Sequence, residues 1–481
     1  MPEYKTPGVY IEEIPKLPPS IASVETAIPA FIGYTARARE KTDGDLVNKG
    51  LRISSMLEYV QYFGGADPEN GIEVTFSSIA GKTEIHARVD PEKQSKFLMY
   101  YSLQMFFANG GGPCYIVSVG DYASTGSLVM VVNLGKGLSV VEKIDEVTLI
   151  LFPDAINLST AIDYYNLYTD AIAQAKKLQD RFVVMDVWHD PDNINAENEI
   201  EWKKDIDLLR NRLSGATEDL KYAAAYFPRI RTSIDFQYKV KDSEKNDDDD
   251  AKVIVKGSAD GSTLAELKAG NNTQYFQAKS AINNLDMILP ASSAVVGVYA
   301  QVDSSRGVWK APANVNINYA VGPEFLVTHE EQMSLNVDAK AGKSINVIRS
   351  FPGRGSAIIW GSRTLAGNDN EWRYIPVRRF FNMVEESTKN ATEQFVFEPN
   401  DLNTWTRVKS MIINYLTQQW KAGALQGTTT REAFYVHVGL AETMTYQDVL
   451  EGRMIVEIGM AVVRPAEFII LRFMHKMLEE T

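Results

Sequence analysis

The chain has 481 residues, of which 45% are hydrophobic and 23% charged, so it can bury a sizeable core without metals or disulfides. Its formal net charge is −13, which argues against a nucleic-acid partner, and its single cysteine, Cys114, excludes an intrachain disulfide. No window is apolar enough to span a membrane, and charged residues occupy the place of a secretory signal. We therefore expect protein partners, no membrane insertion and assembly in a reducing cytoplasm.

The first 35 residues are rich in proline, which excludes a helix. Between the prolines lies a short β-prone run, residues 9–14, and proline-bounded strands of this kind belong at sheet edges. The pattern predicts an extended arm that needs another sheet to pair with. Its pairing residues are Val9, Tyr10, Ile11, Glu12 and Ile14.

Helices and apolar strands alternate from residue 96, after a small insertion over 36–95. The predicted helices cover 96–109, 162–178 and 201–213, and the predicted strands cover 114–119, 147–152, 182–188 and 222–227. Near-continuous apolar strands alternating with helices indicate an α/β fold with a parallel or mixed sheet covered on both faces.

This alternation breaks near residue 231, where a variable insertion over about 231–270 is predicted. Residues 239–250 are highly charged and end in four aspartates, which favours an exposed loop. Helices are predicted after it over 275–288 and 291–301.

The last third contains a strand over 356–360, an amphipathic helix over 401–421 capped by Asn400 or Asp401, and strands over 434–438 and 454–463. The helix is net basic on an acidic chain, through Arg407, Lys409 and Lys421. A strand-like run over 467–477 ends the chain. Its apolar residues are Phe468, Ile469, Ile470, Leu471 and Phe473.

One segment has the composition of a catalytic site. Asp186, His189, Asp190 and Asp192 follow a predicted parallel strand, where α/β active sites usually lie, and these side chains suit a divalent metal. A polar strand-to-helix loop explains the same residues. No P-loop, nucleophile elbow or histidine pair at metal-ligand spacing occurs, so we expect no catalytic residues, metal or cofactor, with a metal-dependent hydrolase at Asp186 and His189 as the alternative.

Several spaced motifs resemble those of contractile phage tail sheath proteins. They are PGVYIEE (7–13), APANV (311–315), PGRG (352–355), IWGSRTL (359–365), WRYIPVRR (372–379), FEPND (397–401) and RPAEF (464–468). Residues 21–34 look most like sheaths of extracellular contractile injection systems, of the antifeeding-prophage and Photorhabdus virulence-cassette type. A sheath of a phage tail or of an R-type tailocin is the alternative.

The resemblance implies a multi-domain sheath fold, α/β with α+β character overall. An arm and first inner strand would occupy 1–35, the small insertion 36–95, an outer α/β domain 96–345, the inner sheath domain 346–464 and a C-terminal arm 465–481. The inner domain would combine the N-terminal segment with the C-terminal third, and both arms would add strands to the sheets of neighbouring copies.

The resemblance also implies the function and the partners. Copies of the chain would stack in rings of six around an inner tube and contract, which drives the tube through a target envelope without hydrolysing anything. The partners would be further copies, the tube protein, and baseplate and tail terminator or cap proteins. Assembly would take place in the bacterial cytoplasm, as part of a virion tail or a released extracellular particle. Arg407, Lys409 and Lys421 are the candidate tube contacts.

Overall fold

The computed structural model describes residues 21–79, 82–123, 126, 128–190, 193, 201–213, 215, 217–238, 252–258 and 261–472. They fall into two compact units. The larger unit is Glu25–Met383 together with the chain after Val463, and the smaller unit is Val384–Val463 together with the chain before Glu25.

The strands are β1 Pro29–Thr35, β2 Gly50–Ile53, β3 Ile72–Ile79, β4 Lys82–Val89, β5 Cys114–Asp121, β6 Leu149–Leu151, β7 Phe182–Asp186, β8 Ala223–Phe227, β9 Ile230–Thr232, β10 Ile254–Lys256, β11 Met287–Leu289, β12 Ala320–Pro323, β13 Ile345–Phe351, β14 Gly355–Trp360, β15 Phe434–His437 and β16 Glu457–Met460.

The helices are α1 Met56–Phe63, α2 Met99–Ala108, α3 Val131–Val141, α4 Ala161–Leu178, α5 Trp202–Arg212, α6 Thr217–Leu220, α7 Leu264–Gly270, α8 Asn272–Asn283, α9 Ser292–Arg306, α10 His329–Asn336, α11 Ile375–Thr392, α12 Leu402–Lys421, α13 Thr430–Ala433 and α14 Tyr446–Leu450. Within the described part of the chain, no helix is long and apolar enough to cross a membrane.

An eight-stranded sheet organises the larger unit, in the order β14-β13-β8-β7-β6-β1-β5-β2. The six strands from β13 to β5 are parallel, and the edge strands β14 and β2 are antiparallel to their neighbours. The parallel strands are almost wholly buried, as sheets covered on both faces require. The predicted α/β class with a mixed sheet is confirmed.

Helices cover both faces of this sheet. The pair α2 and α9 packs against one face over β1, β6 and β7, and the pair α3 and α4 packs against the other over β1, β5 and β7. Small residues permit the close crossing of α2 and α9, because a Cβ on Gly297 would lie 2.5 Å from the carbonyl oxygen of Phe106. The main hydrophobic core lies between these layers.

Two three-stranded sheets complete the larger unit. The hairpin β3–β4 is joined by β10, parallel to β3. Strand β9 lies between β11 and β12, antiparallel to both.

The smaller unit is built on α12 and the antiparallel pair β15–β16. Asp401 caps α12 by accepting a hydrogen bond from the Thr404 N–H at 2.9 Å, as one of the two predicted caps. Its core cluster comprises Trp405, Val438 and Met444, against which Met454 and Val456 pack.

The structure corrects two sequence predictions. Residues 287–289 are a strand, not the end of a helix, because they pair with β9. The predicted strand over 454–463 narrows to Glu457–Met460, since Met454 and Val456 pack on Trp405 instead. The run over 467–472 has no regular secondary structure in the single chain, and its predicted pairing with another copy stays a prediction.

The compact units also differ from the predicted domains. Strands β1, β13 and β14 were expected in the inner domain, yet they lie in the same sheet as β5 to β8. Strand β2, placed in the small insertion, pairs with β5 at the edge of that sheet. Long-range strand pairing joined segments that look separate in the sequence. The predicted division of the chain into five segments, each with its own role in an assembly, stays a prediction.

Candidate assembly interface

The smaller unit exposes unpaired strand edges. Among the described residues, β15 and β16 form a sheet only with each other, and an isolated bridge joins Leu425 to Val462 beyond the end of β16. A two-stranded sheet is marginally stable alone, and its outer N–H and C=O groups are a template for further strands. This sheet is therefore suited to accepting extended segments.

The C-terminal run exposes consecutive apolar side chains. Phe468, Ile469, Ile470 and Leu471 are between 69% and 80% exposed, although all four are large and hydrophobic. Consecutive exposed residues of this kind mark a surface that a partner covers. Phe473 and the whole predicted N-terminal arm, Val9 to Ile14, lie outside the described residues, so their strand roles stay predictions.

The basic side chains of α12 are partly neutralised within their own unit. The Arg407 guanidinium lies 3.8 Å from a carboxylate oxygen of Glu398, and the Lys409 ammonium lies 3.6 Å from one of Glu442. Lys421 ends the helix and is exposed. Exposed ion pairs of this length are weak and rearrange easily, so the three cations remain available to an acidic partner.

An apolar patch before α12 was missed by the sequence analysis. Val396, Phe397 and Leu402 are strongly exposed, and the Phe397 ring is fully so. Phe397 also has φ of 71°, a left-handed conformation that costs an aromatic residue energy. A strained backbone that presents an exposed ring is typical of a contact surface. The sequence feature that could have indicated this patch is Phe397, the aromatic residue at the start of the motif FEPND (397–401).

The candidate catalytic residues serve structural contacts. Asp186 is buried and accepts hydrogen bonds from the main-chain N–H groups of Ala291 (2.8 Å) and Ser292 (3.0 Å) at the start of α9. His189 lies 2.7 Å, through Nδ1, from a carboxylate oxygen of buried Asp205. Burial raises the pKa of Asp186 to about 6, against the opposing hydrogen bonds.

His189 and Asp190 thus both contact Asp205, whereas Asp186 contacts the start of α9. Asp190 donates its main-chain N–H to Asp205 at 3.3 Å, and Asp192 lies outside the described residues. Among the described residues, no group of three or more histidine, cysteine or acidic side chains is arranged to hold a metal ion. The hydrolase interpretation at Asp186 and His189 is not supported.

The position where open α/β sheets bind ligands is filled by Asp154. In the sheet, β5 lies on one side of β1, and β6, the next parallel strand along the chain, lies on the other side of β1. This reversal makes a topological switch point between β1 and β6. Asp154 follows β6 and accepts main-chain hydrogen bonds from Tyr34 (2.7 Å), Leu98 (2.6 Å) and Met99 (3.1 Å). Its carboxylate thus takes the place beside the α2 N-terminus that an anionic ligand takes in related topologies.

Comparison with known proteins gives partial matches to two phage proteins. Residues 367–475 match the family described as the phage tail sheath C-terminal domain. The tail sheath protein of Vibrio phage KVP40 is 26% identical over 171 residues, which are 36% of this chain and 24% of that protein. The tail sheath protein of Enterobacteria phage T4 is 23% identical over 155 residues, 32% of this chain and 22% of that protein. The chain thus aligns with about a quarter of the length of these curated relatives.

Solved structures match along nearly the whole chain. A chain of the anti-feeding prophage baseplate is 30% identical with a TM-score of 0.63, covering 98% of this chain and 100% of that one. The anti-feeding prophage helical sheath in the contracted state is 28% identical (TM-score 0.64, 98% and 100% covered). The contracted PVC sheath complex of an extracellular contractile injection system is 28% identical (TM-score 0.62, 99% and 99% covered). This protein therefore belongs to the phage tail sheath family and resembles the sheath chains of contractile injection systems over its whole length.

Proposed function

We propose that this chain is the structural subunit of a contractile sheath. Copies stack as rings of six around an inner tube, and contraction of the stack drives the tube through a target cell envelope. The observation that carries the proposal is the end-to-end likeness to two sheaths in the contracted state. The further partners are the tube protein, the baseplate, and a terminator or cap protein, within a phage-tail-like particle assembled in the bacterial cytoplasm.

The joints between copies are strand additions. An arm from one copy, residues 9–14 or 468–473, adds to the β15–β16 sheet of another, with main-chain hydrogen bonds for affinity and alternate side chains for register. A net contribution on the order of 1 kcal/mol per hydrogen bond gives about 3–6 kcal/mol for one short strand. Each joint is modest, but a lattice contains many of them.

The role is mechanical and not catalytic. The two buried aspartates at the carboxyl edge of the sheet, Asp154 and Asp186, are used to hold helix N-termini, which supports a fold without a substrate site there. The energy for movement is that of the assembled extended lattice.

Electron microscopy of the chain expressed with a tube protein tests the proposal. We expect long striated tubes of fixed width from the unchanged chain. Ile469→Ser with Leu471→Ser should abolish them, because a C-terminal strand without apolar side chains loses its docking face. Leu57→Ser, which removes an exposed leucine of α1, is the matched control and should assemble normally. Dispersed particles from the unchanged chain would refute a sheath function.

A further inference from the structure

The chain passes between its two compact units three times, after Val24, Met383 and Val463. Within the larger unit, an arginine–carboxylate cluster with a buried arginine lies close in sequence to each passage. We call these the C-terminal clamp, made of Arg363, Glu467, Asn336 and Tyr374, and the N-terminal clamp, made of Thr26, Asp303 and Arg379.

The C-terminal clamp saturates one carboxylate. The Arg363 guanidinium donates to both oxygens of Glu467, through Nε to Oε1 at 3.0 Å and Nη2 to Oε2 at 2.6 Å. Asn336 Nδ2 donates to Oε1 at 2.7 Å, and the Tyr374 hydroxyl donates to Oε2 at 3.2 Å. The Arg363 side chain is only 4% exposed and that of Glu467 20%. A paired, bidentate geometry of this kind is strong and directional.

This carboxylate is the last fixed point before the exposed run. Phe468 to Leu471 follow it directly and are free of regular structure. Arg363, on the other side of the pair, is attached to the large sheet, because its main-chain N–H donates to Asn346 Oδ1 on β13 at 2.7 Å. A pull on the C-terminal segment therefore reaches β13 through Glu467 and Arg363.

The N-terminal clamp holds the other terminal segment in the same way. Arg379 donates through Nη1 to Asp303 at 3.0 Å and through Nη2 to the carbonyl oxygen of Thr26 at 2.9 Å. The Thr26 hydroxyl donates to Asp303 at 2.6 Å, and the guanidinium stacks over the Tyr299 ring at 4.6 Å. Asp303 lies on α9 and Arg379 on α11, so residue 26 is tied to two helices of the body.

We propose that the two clamps fix the points at which the terminal segments are held to the body of the larger unit, so that tension on each arm is carried by an arginine–carboxylate pair into the core of the subunit. The proposal rests on the sheath function proposed above, since only an assembled copy pulls on its arms. It assigns Glu467 and Arg379 as positioning residues for the two joints.

Proteolysis of the isolated subunit tests the C-terminal clamp directly. Chymotrypsin cleaves after Phe468 only if the residues on both sides can extend into its cleft, which the clamped Glu467 prevents. Glu467→Gln should speed cleavage at this bond at least about tenfold, because the carboxylate that pairs with the buried Arg363 is lost. Tyr374→Phe, which removes a single donor, should give a smaller increase.

Glu330→Gln, at an exposed glutamate on α10, is the matched control and should leave the cleavage rate unchanged. Equal rates for Glu467→Gln and the unchanged chain would overturn the clamp.

Assembly is then compared by electron microscopy with the same proteins. We expect sheaths of the unchanged chain and of Glu330→Gln to be long, and those of Glu467→Gln to be at least several-fold shorter or absent. Long sheaths from Glu467→Gln would overturn the claim that the clamp carries tension. Failure of the unchanged chain to assemble would instead refute the sheath function, while the cleavage rates would still decide whether the clamp fixes the segment.

Discussion

At the scale of single residues, the most informative side chain is Asp154. It is fully buried, it fills the switch point of the large sheet, and it has no cationic partner among its hydrogen bonds. Gly33 makes room for it, because a Cβ at that position would lie 2.4 Å from the carboxylate. Asp154 thus lies where a ligand would bind in related folds, and its carboxylate links the end of β6 to β1 and to the start of α2.

Replacing this carboxylate should destabilise the subunit. In Asp154→Asn an amide N–H₂ would face either the Tyr34 N–H or those of Leu98 and Met99, leaving buried donors unsatisfied. We expect the free energy of unfolding in urea to fall by about 1–3 kcal/mol. Asp170→Asn, at an exposed position on α4, should change it by less than about 0.5 kcal/mol. Equal stability of the two variants would contradict the assigned role.

The same residue predicts a pH dependence. Burial raises the pKa of Asp154 to about 7 from 3.8, against the lowering effect of its three main-chain donors. Between these two values the folded state binds more protons than the unfolded state, so this group's contribution to stability falls as the pH rises. The stability difference between the unchanged chain and Asp154→Asn should therefore be larger at pH 5 than at pH 8. Urea unfolding at both values measures it, and a constant difference would exclude a raised pKa.

At the scale of elements, α12 has a buried apolar face and partly exposed basic side chains. One face is buried through Trp405, Val408, Ile412 and Leu416, whereas Arg407 and Lys409, two positions apart, lie on the two flanks of that face. The ion pairs of these two basic side chains are long, so they contribute little to the stability of the unit. Changes to these two side chains should therefore affect binding and not folding.

Charge reversal separates binding from folding. Arg407→Glu with Lys409→Glu should leave the thermal midpoint of the subunit within a few degrees. If these residues contact an acidic tube surface, as proposed, the reversed charges should repel that surface and prevent extended sheath from forming on tubes. Lys136→Glu with Arg306→Glu makes the same charge change at exposed positions on the larger unit and should assemble normally. Extended sheath on tubes with the first variant would exclude α12 as the tube contact.

The N-terminal arm is proposed to form one of the strand joints between copies. Deleting residues 1–14 removes the proposed strand but none of the described core, so the shortened chain should fold with an unchanged circular dichroism spectrum. Sheath formation should be abolished, because one of the two strand joints is gone. Normal sheaths from the shortened chain, seen by electron microscopy, would exclude the arm as a joint.

At the scale of the whole molecule, the single thiol of Cys114 can report on unfolding, because the large sheet buries it. Cys114 begins β5, pairs with Ile53 on the edge strand β2, and is completely buried. Burial also raises the pKa of its thiol, which suppresses the reactive thiolate. Access to this sulfur requires the sheet to open.

Thiol labelling should therefore follow global unfolding. We expect a disulfide reagent to react with native subunit at least a thousandfold more slowly than with subunit in strong denaturant, since opening of a sheet core approaches the global free energy. Ser139→Cys adds an exposed thiol on α3 and should be labelled rapidly in native protein. Fast labelling of Cys114 without denaturant would indicate a sheet that opens locally at β2.

The sequence by itself determined the α/β class, the apolar parallel strands, the bounds and cap of α12, and, through spaced motifs, the sheath family. These are local properties, because hydrophobic periodicity and capping depend on residues a few positions apart. It also singled out the run from Phe468 to Leu471, whose apolar character the structure shows to be exposed.

Only the tertiary structure decided how distant segments combine. In the tertiary structure, β1 pairs with β5 and β6, and residues 287–289 form a strand. Asp186 and His189 make structural contacts there. The tertiary structure also pairs Glu467 with Arg363, which stand 104 positions apart. Strand partners and buried ion pairs are fixed by packing across the whole chain, so no local pattern encodes them, and the sequence left them open for that reason.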